Sequence, residues 1–288
     1  ANQTLSLPEL GCGSPILIAL PEMIRVLAHA TEVGMGSFAR ICISDIDGQA
    51  VLVKLLSEQD LGPQDVVELV AAMASVFRMS HQSEKDLVVH PLAICPFKPC
   101  LGIIYPLVEH GSLAAAVDAG RVGGAFARRV AVALAETLAS LHADNFVHGS
   151  VKPSNVMLYD SGGSRVTLTD AGLSALRGTL SVLSSTSSII YSSPEVLAGS
   201  SADTSATDVF SYASTVYEVV TGQRAFTGES PLDVAQKIMA GNVPYGGCGP
   251  RLGAVLGRAW APLAADRPTM AEVKDLIAAL PEDEFCRV

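Results

Sequence analysis

The stretch HGSVKPSN, residues 148–155, decides how the rest of the chain is read. Lys152 and Asn155 are the residue types of a phosphate-and-metal site: an ammonium for phosphate oxygens and an amide oxygen for a hard divalent cation. Between His148 and Lys152 such a site keeps a carboxylate, and here that position holds Ser150. A serine hydroxyl does not accept a proton at pH 7. The stretch therefore asks whether the chain has found another base or has abandoned the chemistry.

Upstream, ARICISDIDGQAVLVKLL (39–56) reads as two strands around the turn DIDGQ. GPQDVVELVAAMASVFRMS (62–80) reads as a helix with Pro63 near its start and acidic residues in its first turn. LAIC and CLGIIYPLVE are two further strand candidates. Beyond residue 111 the texture changes, and five segments carry the i, i+3, i+4 apolar spacing of helices. A strand-rich part to about residue 105 and a helix-rich part from about 111 predict two lobes, with a crevice between them as the natural ligand site. LSVLSSTSSIIYSS (180–193) reads as a long loop.

With 288 residues, 49% of them hydrophobic, the chain can bury a substantial core. The net charge of −10 excludes the basic footprint that nucleic acid requires and disfavours an anionic membrane surface. No apolar run reaches the roughly 18 residues of a membrane span. The sequence starts at Ala1 with nothing resembling a charged n-region and an apolar h-region, which reads as a mature or trimmed chain. Among the six cysteines, Cys95 and Cys100 bracket the turn PFKP, a spacing that suits a cross-hairpin disulfide, while free thiols of a cytosolic protein fit equally well. The sequon at Asn2 leans towards a secretory route. No Cys/His cluster has zinc spacing, so no structural metal is predicted.

EVGMGSFARI places Gly34 and Gly36 where absent side chains let backbone amides approach a phosphate, although a glycine pair in a hairpin is more often only a turn. VLVK puts Lys54 at the end of an apolar strand, where it either meets Glu68 of the following helix or reaches solvent. These features are followed, in order, by GSL, HGSVKPSN, TDAG, YSSPE, TDVFSY and RPT. Together they resemble the protein-kinase signature set over about residues 33–280.

The resemblance implies an α+β fold: one kinase-like domain over 1–288, with a strand-rich N-lobe (about 1–105), a hinge (about 106–110) and a helical C-lobe (about 111–288). It implies Lys54 as the phosphate lysine paired with Glu68, Lys152 beside the phosphates, and Asn155 and Asp170 as the metal-holding pair. Tyr105 falls at the gatekeeper position, and Pro106, Leu107 and Val108 in the hinge. Glu195 and Arg267 take the places of a structural ion pair, and Asp208 that of the carboxylate ordering the catalytic loop.

Several positions depart from the family pattern. Gly149 and Ser150 replace an arginine and the proton-accepting aspartate, and Ala171 replaces a phenylalanine whose packing sets the active arrangement. Leu52 stands where a smaller alanine meets the adenine ring, and Ala39 replaces the third loop glycine. Asp144 and Asp160 sit in turn contexts that do not suit a substitute base; His148 reads as a framework histidine and His142 as packing.

Carried through, these departures imply a pseudokinase with no catalytic residue, vestigial cofactor and metal positions, and no working ATP and magnesium site. Its function would then be to bind unidentified protein partners, with no nucleic acid and no membrane span. The texture is similar to the secreted rhoptry-kinase-like pseudokinases of apicomplexan parasites, which implies a parasitophorous vacuole or cyst wall, with the cytoplasm as the alternative. A nucleotide-binding switch and a weak atypical kinase are the rival readings.

Overall fold

Asp47 and Gly48 turn the chain between two strands because both adopt positive φ, 53° and 83°, the twist that a two-residue hairpin loop requires. The Asp45 carboxylate accepts from Gly48 N at 2.8 Å and closes the turn. The computed structural model describes residues 16–35, 39–57, 67–68, 71–72, 86–97, 100–171, 189–199, 203–244 and 246–287. Asn2, Cys12, Gly36, most of the helix expected over 62–80 and most of the loop expected over 180–193 lie outside them.

The chain divides into two units, residues 1–107 with 170–182, and residues 108–169 with 183–288. The first thus takes in a segment beginning at Asp170, which lies in the helical part by sequence order.

In the first unit β1 (Ile16–Leu17), β2 (Thr31–Met35), β3 (Ala39–Ile46), β4 (Gln49–Ser57), β5 (Ala93–Phe97) and β6 (Cys100–Pro106) form one sheet in the order β1-β5-β6-β4-β3-β2. β1 runs parallel to β5, and the other pairs are antiparallel. Alternation then sorts the side chains. One face carries Val51, Val53 and Ile104, which are buried in a cluster with Met23 and Val26 of helix α1 (Leu20–Leu27). Gly102 lets the helix sit this close, since a Cβ there would lie 2.6 Å from Met23 Cε. On the other face Leu52 stands opposite Tyr105, and Lys54 opposite Ile103.

The same register corrects the expected disulfide. Cys95 faces Gly102 and Cys100 faces Phe97, so the two cysteines are diagonal neighbours. Such positions lie about 7–8 Å apart, beyond the roughly 4.4–6.8 Å Cα span of a disulfide. Both thiols are free.

The second unit contains α2 (Leu113–Asp118), α3 (Gly124–Ala143), α4 (Pro194–Leu197), α5 (Ser205–Thr221), α6 (Pro231–Met239), α7 (Pro250–Ala259) and α8 (Met270–Ala278), with the hairpin β7 (Val156–Leu158) and β8 (Val166–Leu168). Helix α5 is buried almost all round, as a central helix should be. Tyr212 of α5 donates to Ala131 O of α3 at 2.9 Å, and Gly222, at φ 69°, ends the helix in a left-handed cap. Thr269 and Glu272 form a capping box at the start of α8. Among the described residues no helix is long and apolar enough to cross a membrane.

Candidate active site

The catalytic-loop segment is pinned from beneath by Asp208, which is fully buried on α5. Its Oδ2 accepts from His148 N at 2.8 Å and its Oδ1 from Gly149 N at 2.8 Å. His142 Nε2 lies 2.9 Å from Oδ2, so a residue read from sequence as packing is a polar partner of the framework carboxylate. Its position at the end of α3, six residues before His148, was the available signal.

His148 is fully buried. Its Nδ1 accepts from Ser150 N at 3.2 Å and its Nε2 faces Thr169 O at 3.0 Å. An N–H at one nitrogen and a carbonyl at the other fix the neutral tautomer protonated at Nε2. Gly149 takes φ 72°, where a side chain costs roughly 1–2 kcal/mol. The loop backbone is thus fitted to a glycine where the family pattern carries arginine.

Asn155, 1% exposed, ends a single turn of 3-10 helix, Pro153–Asn155, that follows the half-buried Lys152. Its Nδ2 donates to Ser150 O at 2.8 Å and to Ser150 Oγ at 3.1 Å. The carbonyl can only accept, which assigns the amide nitrogen to that side. Oδ1, the other atom of the amide, accepts from the Ser154 hydroxyl at 3.5 Å. Thr169 N donates to Asn155 O at 2.9 Å beside the β7–β8 pair.

In the first unit Lys54, 16% exposed at its side chain, forms an ion pair with Oδ2 of Asp170, 6% exposed. Glu68, the partner expected from sequence, sits exposed on a helical turn. The nearly buried ammonium and the nearly buried carboxylate each offset the other's loss of water. The Tyr105 hydroxyl donates to Asp170 Oδ1 at 3.3 Å. Burial, then the Asp170 charge and hydrogen bond, push the Tyr105 phenol well above its ordinary value, so it remains a donor. Asp170 adopts φ 66°, a conformation that non-glycine residues hold only where surroundings impose it. Ala171 beside it is buried.

Gly34 lies next to a bulge in the β2–β3 pairing, and a Cβ there would meet nothing within 4 Å. Its openness leaves room for an approaching group. Val108, 7% exposed, accepts from Gly111 N at 3.2 Å in the second unit. Leu52, half-buried directly across from Tyr105, puts a second bulky group on the same sheet face. Asp160 accepts from Gly162 N, Ser164 N and Arg165 N at 2.7, 3.2 and 2.8 Å and is a turn residue.

Arg267 and Glu195 meet in a two-pronged pair, 2.7 and 2.8 Å. Arg267 also donates to the carbonyls of Ala261 and Ala206 and stacks over Phe210. Burial works against a charged Glu195, but the Arg267 hydrogen bonds outweigh it and hold the carboxyl below its ordinary value.

Residues 27–277 match the family described as protein tyrosine and serine/threonine kinase. The chain is 30% identical over 240 residues to CBL-interacting protein kinase 27 of Oryza sativa subsp. japonica, covering 80% of this chain and 56% of that protein. It is 30% identical over 206 residues to the serine/threonine-protein kinase PkaA of Streptomyces coelicolor, covering 68% and 36%. A serine/threonine-protein kinase/receptor of Acanthamoeba polyphaga mimivirus is 24% identical over 257 residues, 87% of this chain and 15% of that protein. The chain therefore spans from about a seventh to just over half the length of these relatives. The fold is similar to that of Rad53 1-466 in complex with AMP-PNP, with a TM-score of 0.65, 18% identity, and 85% and 62% of the two chains covered.

These relatives overturn the expectation of a chain without enzymatic activity, since the proteins it matches are named protein kinases, PkaA a serine/threonine-protein kinase among them. The physical reason is that phosphoryl transfer rests mainly on positioning and electrostatics. A general base contributes about 10² to 10⁴ in rate, so its loss from the motif does not by itself exclude transfer.

Proposed function

This chain belongs to the protein tyrosine and serine/threonine kinase family, and on that premise we propose that it is an ATP-dependent serine/threonine phosphotransfer domain working without a carboxylate base. The observation that carries the reading is the preserved charge set: the Lys54–Asp170 pair in one unit, and the oriented Asn155 amide in the other.

Lys54 would leave Asp170 for phosphate oxygens. The Asp170 carboxylate and the Asn155 amide oxygen would each supply a hard oxygen of the kind magnesium takes, the Asn155 amide nitrogen being occupied by Ser150 O. Magnesium, when bound, neutralises charge on the phosphates. The acceptor hydroxyl oxygen forms a bond to the γ-phosphorus as the bond to the β,γ-bridging oxygen breaks, and ADP leaves with that electron pair. The hydroxyl proton passes to an oxygen of the transferred phosphoryl group and on to water. Ser150 Oγ, which accepts from Asn155 at 3.1 Å, can donate to the incoming hydroxyl and hold it in line. Without a base the rate falls by about 10² to 10⁴.

The test is transfer of radiolabelled γ-phosphate to a basic protein acceptor and to the chain itself. Incorporation that disappears in Lys54→Met and in Asp170→Asn supports the reading. Wild-type incorporation no greater than a buffer blank refutes it.

A further inference from the structure

We infer that Tyr105 is a positioning residue for Asp170, an inference that rests on the function proposed above: its hydroxyl holds one carboxylate oxygen and leaves the other directed at Lys54. Tyr105 comes from β6, 3% exposed, and Lys54 from the adjoining β4. Lys54 lies opposite Ile103, two residues before Tyr105, so both side chains leave the same face of the sheet on a diagonal. From there they reach different oxygens of one carboxylate, Oδ1 at 3.3 Å for Tyr105 and Oδ2 for Lys54.

The fold has a reason to need this tether. Asp170 holds a left-handed conformation, φ 66°, and the next residue, Ala171, has no side chain beyond Cβ to wedge the segment in place. A carboxylate that can rotate would present either oxygen, or neither, to a cation. With Oδ1 held by an O–H, Oδ2 stays directed at Lys54 and would be the oxygen offered to a metal ion once the lysine leaves. A phenylalanine at 105 would fill the same space and remove the O–H that Oδ1 accepts from, so the role lies in the hydroxyl and not in the ring.

The test is Tyr105→Phe in the full chain, read in two ways. First, without nucleotide, Lys54 is acylated by brief pulses of acetic anhydride and quantified by mass spectrometry, with Asp170→Asn marking a released lysine. Tyr105→Phe is expected to raise Lys54 acylation several-fold towards that mark, with other lysines unchanged. Acylation equal to wild type overturns the inference. Second, ATP affinity is measured with and without magnesium. Tyr105→Phe is expected to lower the magnesium-dependent part about 10-fold, the lower end for partners of a metal-holding carboxylate, because 3.3 Å is long for an O–H···O bond. Magnesium stimulation equal to wild type also overturns it. Wild-type ATP affinity indifferent to magnesium would instead refute the proposed function, while the acylation result still decides whether Tyr105 holds Asp170.

Discussion

Ser150→Asp is the substitution most directly dictated by the loop geometry. The backbone at 148–150 is held by bonds that do not involve the side chain of residue 150: Asp208 accepts from His148 N and Gly149 N, both at 2.8 Å, and His148 Nδ1 accepts from Ser150 N. The Asn155 amide that now reaches Ser150 Oγ at 3.1 Å would donate to a carboxylate at the same place. An aspartate is therefore expected to enter without moving the loop, with one oxygen held by Asn155 and the other open to an acceptor hydroxyl. A positioned base contributes about 10² to 10⁴ in rate, which at about 1.36 kcal/mol per tenfold is roughly 3–5 kcal/mol of barrier. The assay is steady-state transfer of labelled γ-phosphate, with Tm and ATP affinity measured alongside. An increase of 100-fold or more in kcat, with the other two unchanged, is the expected result. A kcat within twofold of wild type, in a protein of unchanged Tm and ATP affinity, would refute the argument that the missing carboxylate limits the rate.

Two further outcomes follow from the packing. Glu195→Gln leaves the Arg267 guanidinium, whose side chain is fully buried, without its counter-charge. Breaking a buried pair costs about 3–5 kcal/mol, and the quarter-exposed Glu195 side chain places this one nearer 2–3, a fall in Tm on the order of 5–10 °C. Because the Glu195 carboxyl is held below its ordinary value, its stabilisation is complete above an unfolded value of about 4.3 and is lost as pH falls through the folded one. The gap between the two proteins, measured by thermal unfolding, should close on acidification below about pH 4 and stay constant from pH 6 to 8; a gap that widens in acid would contradict this. Cys95, fully buried with its thiol pushed up to about 11 by burial and then by the Glu22 charge, should resist iodoacetamide at pH 8 in the native protein while the exposed Cys286 reacts. A non-reduced digest should contain no peptide linking Cys95 to Cys100, and finding one would overturn the register of β5 and β6.

The ordered series of short motifs was enough to read the fold. The Asp47-Gly48 turn, the glycine cap at Gly222 and the Thr269–Glu272 capping box are local devices whose chemistry lies within four residues, so their residue types announce them. The Glu195–Arg267 pair and the Asp208 carboxylate were also legible, because each sits in a recognisable motif. Helix α1 and strand β1 were not: they end at or before residue 27, where the family match begins, and α1 is defined by a seat that Gly102 opens from 75 or more positions away along the chain.

Residue types and their order, taken by themselves, determined that this chain is a two-part kinase-family fold lacking the loop aspartate. They did not determine how the retained charges pair, or what that pairing means for activity. Lys54 meets Asp170 across 116 positions and Tyr105 meets it across 65, whereas sequence proximity favours Glu68. Cys95 and Cys100 are five positions apart and do not bond, because a hairpin register makes them diagonal rather than opposite. In each case the deciding quantity is a distance of a few ångströms, set by strand register and by what burial leaves for a charge to pair with. Both arise only when distant segments pack together.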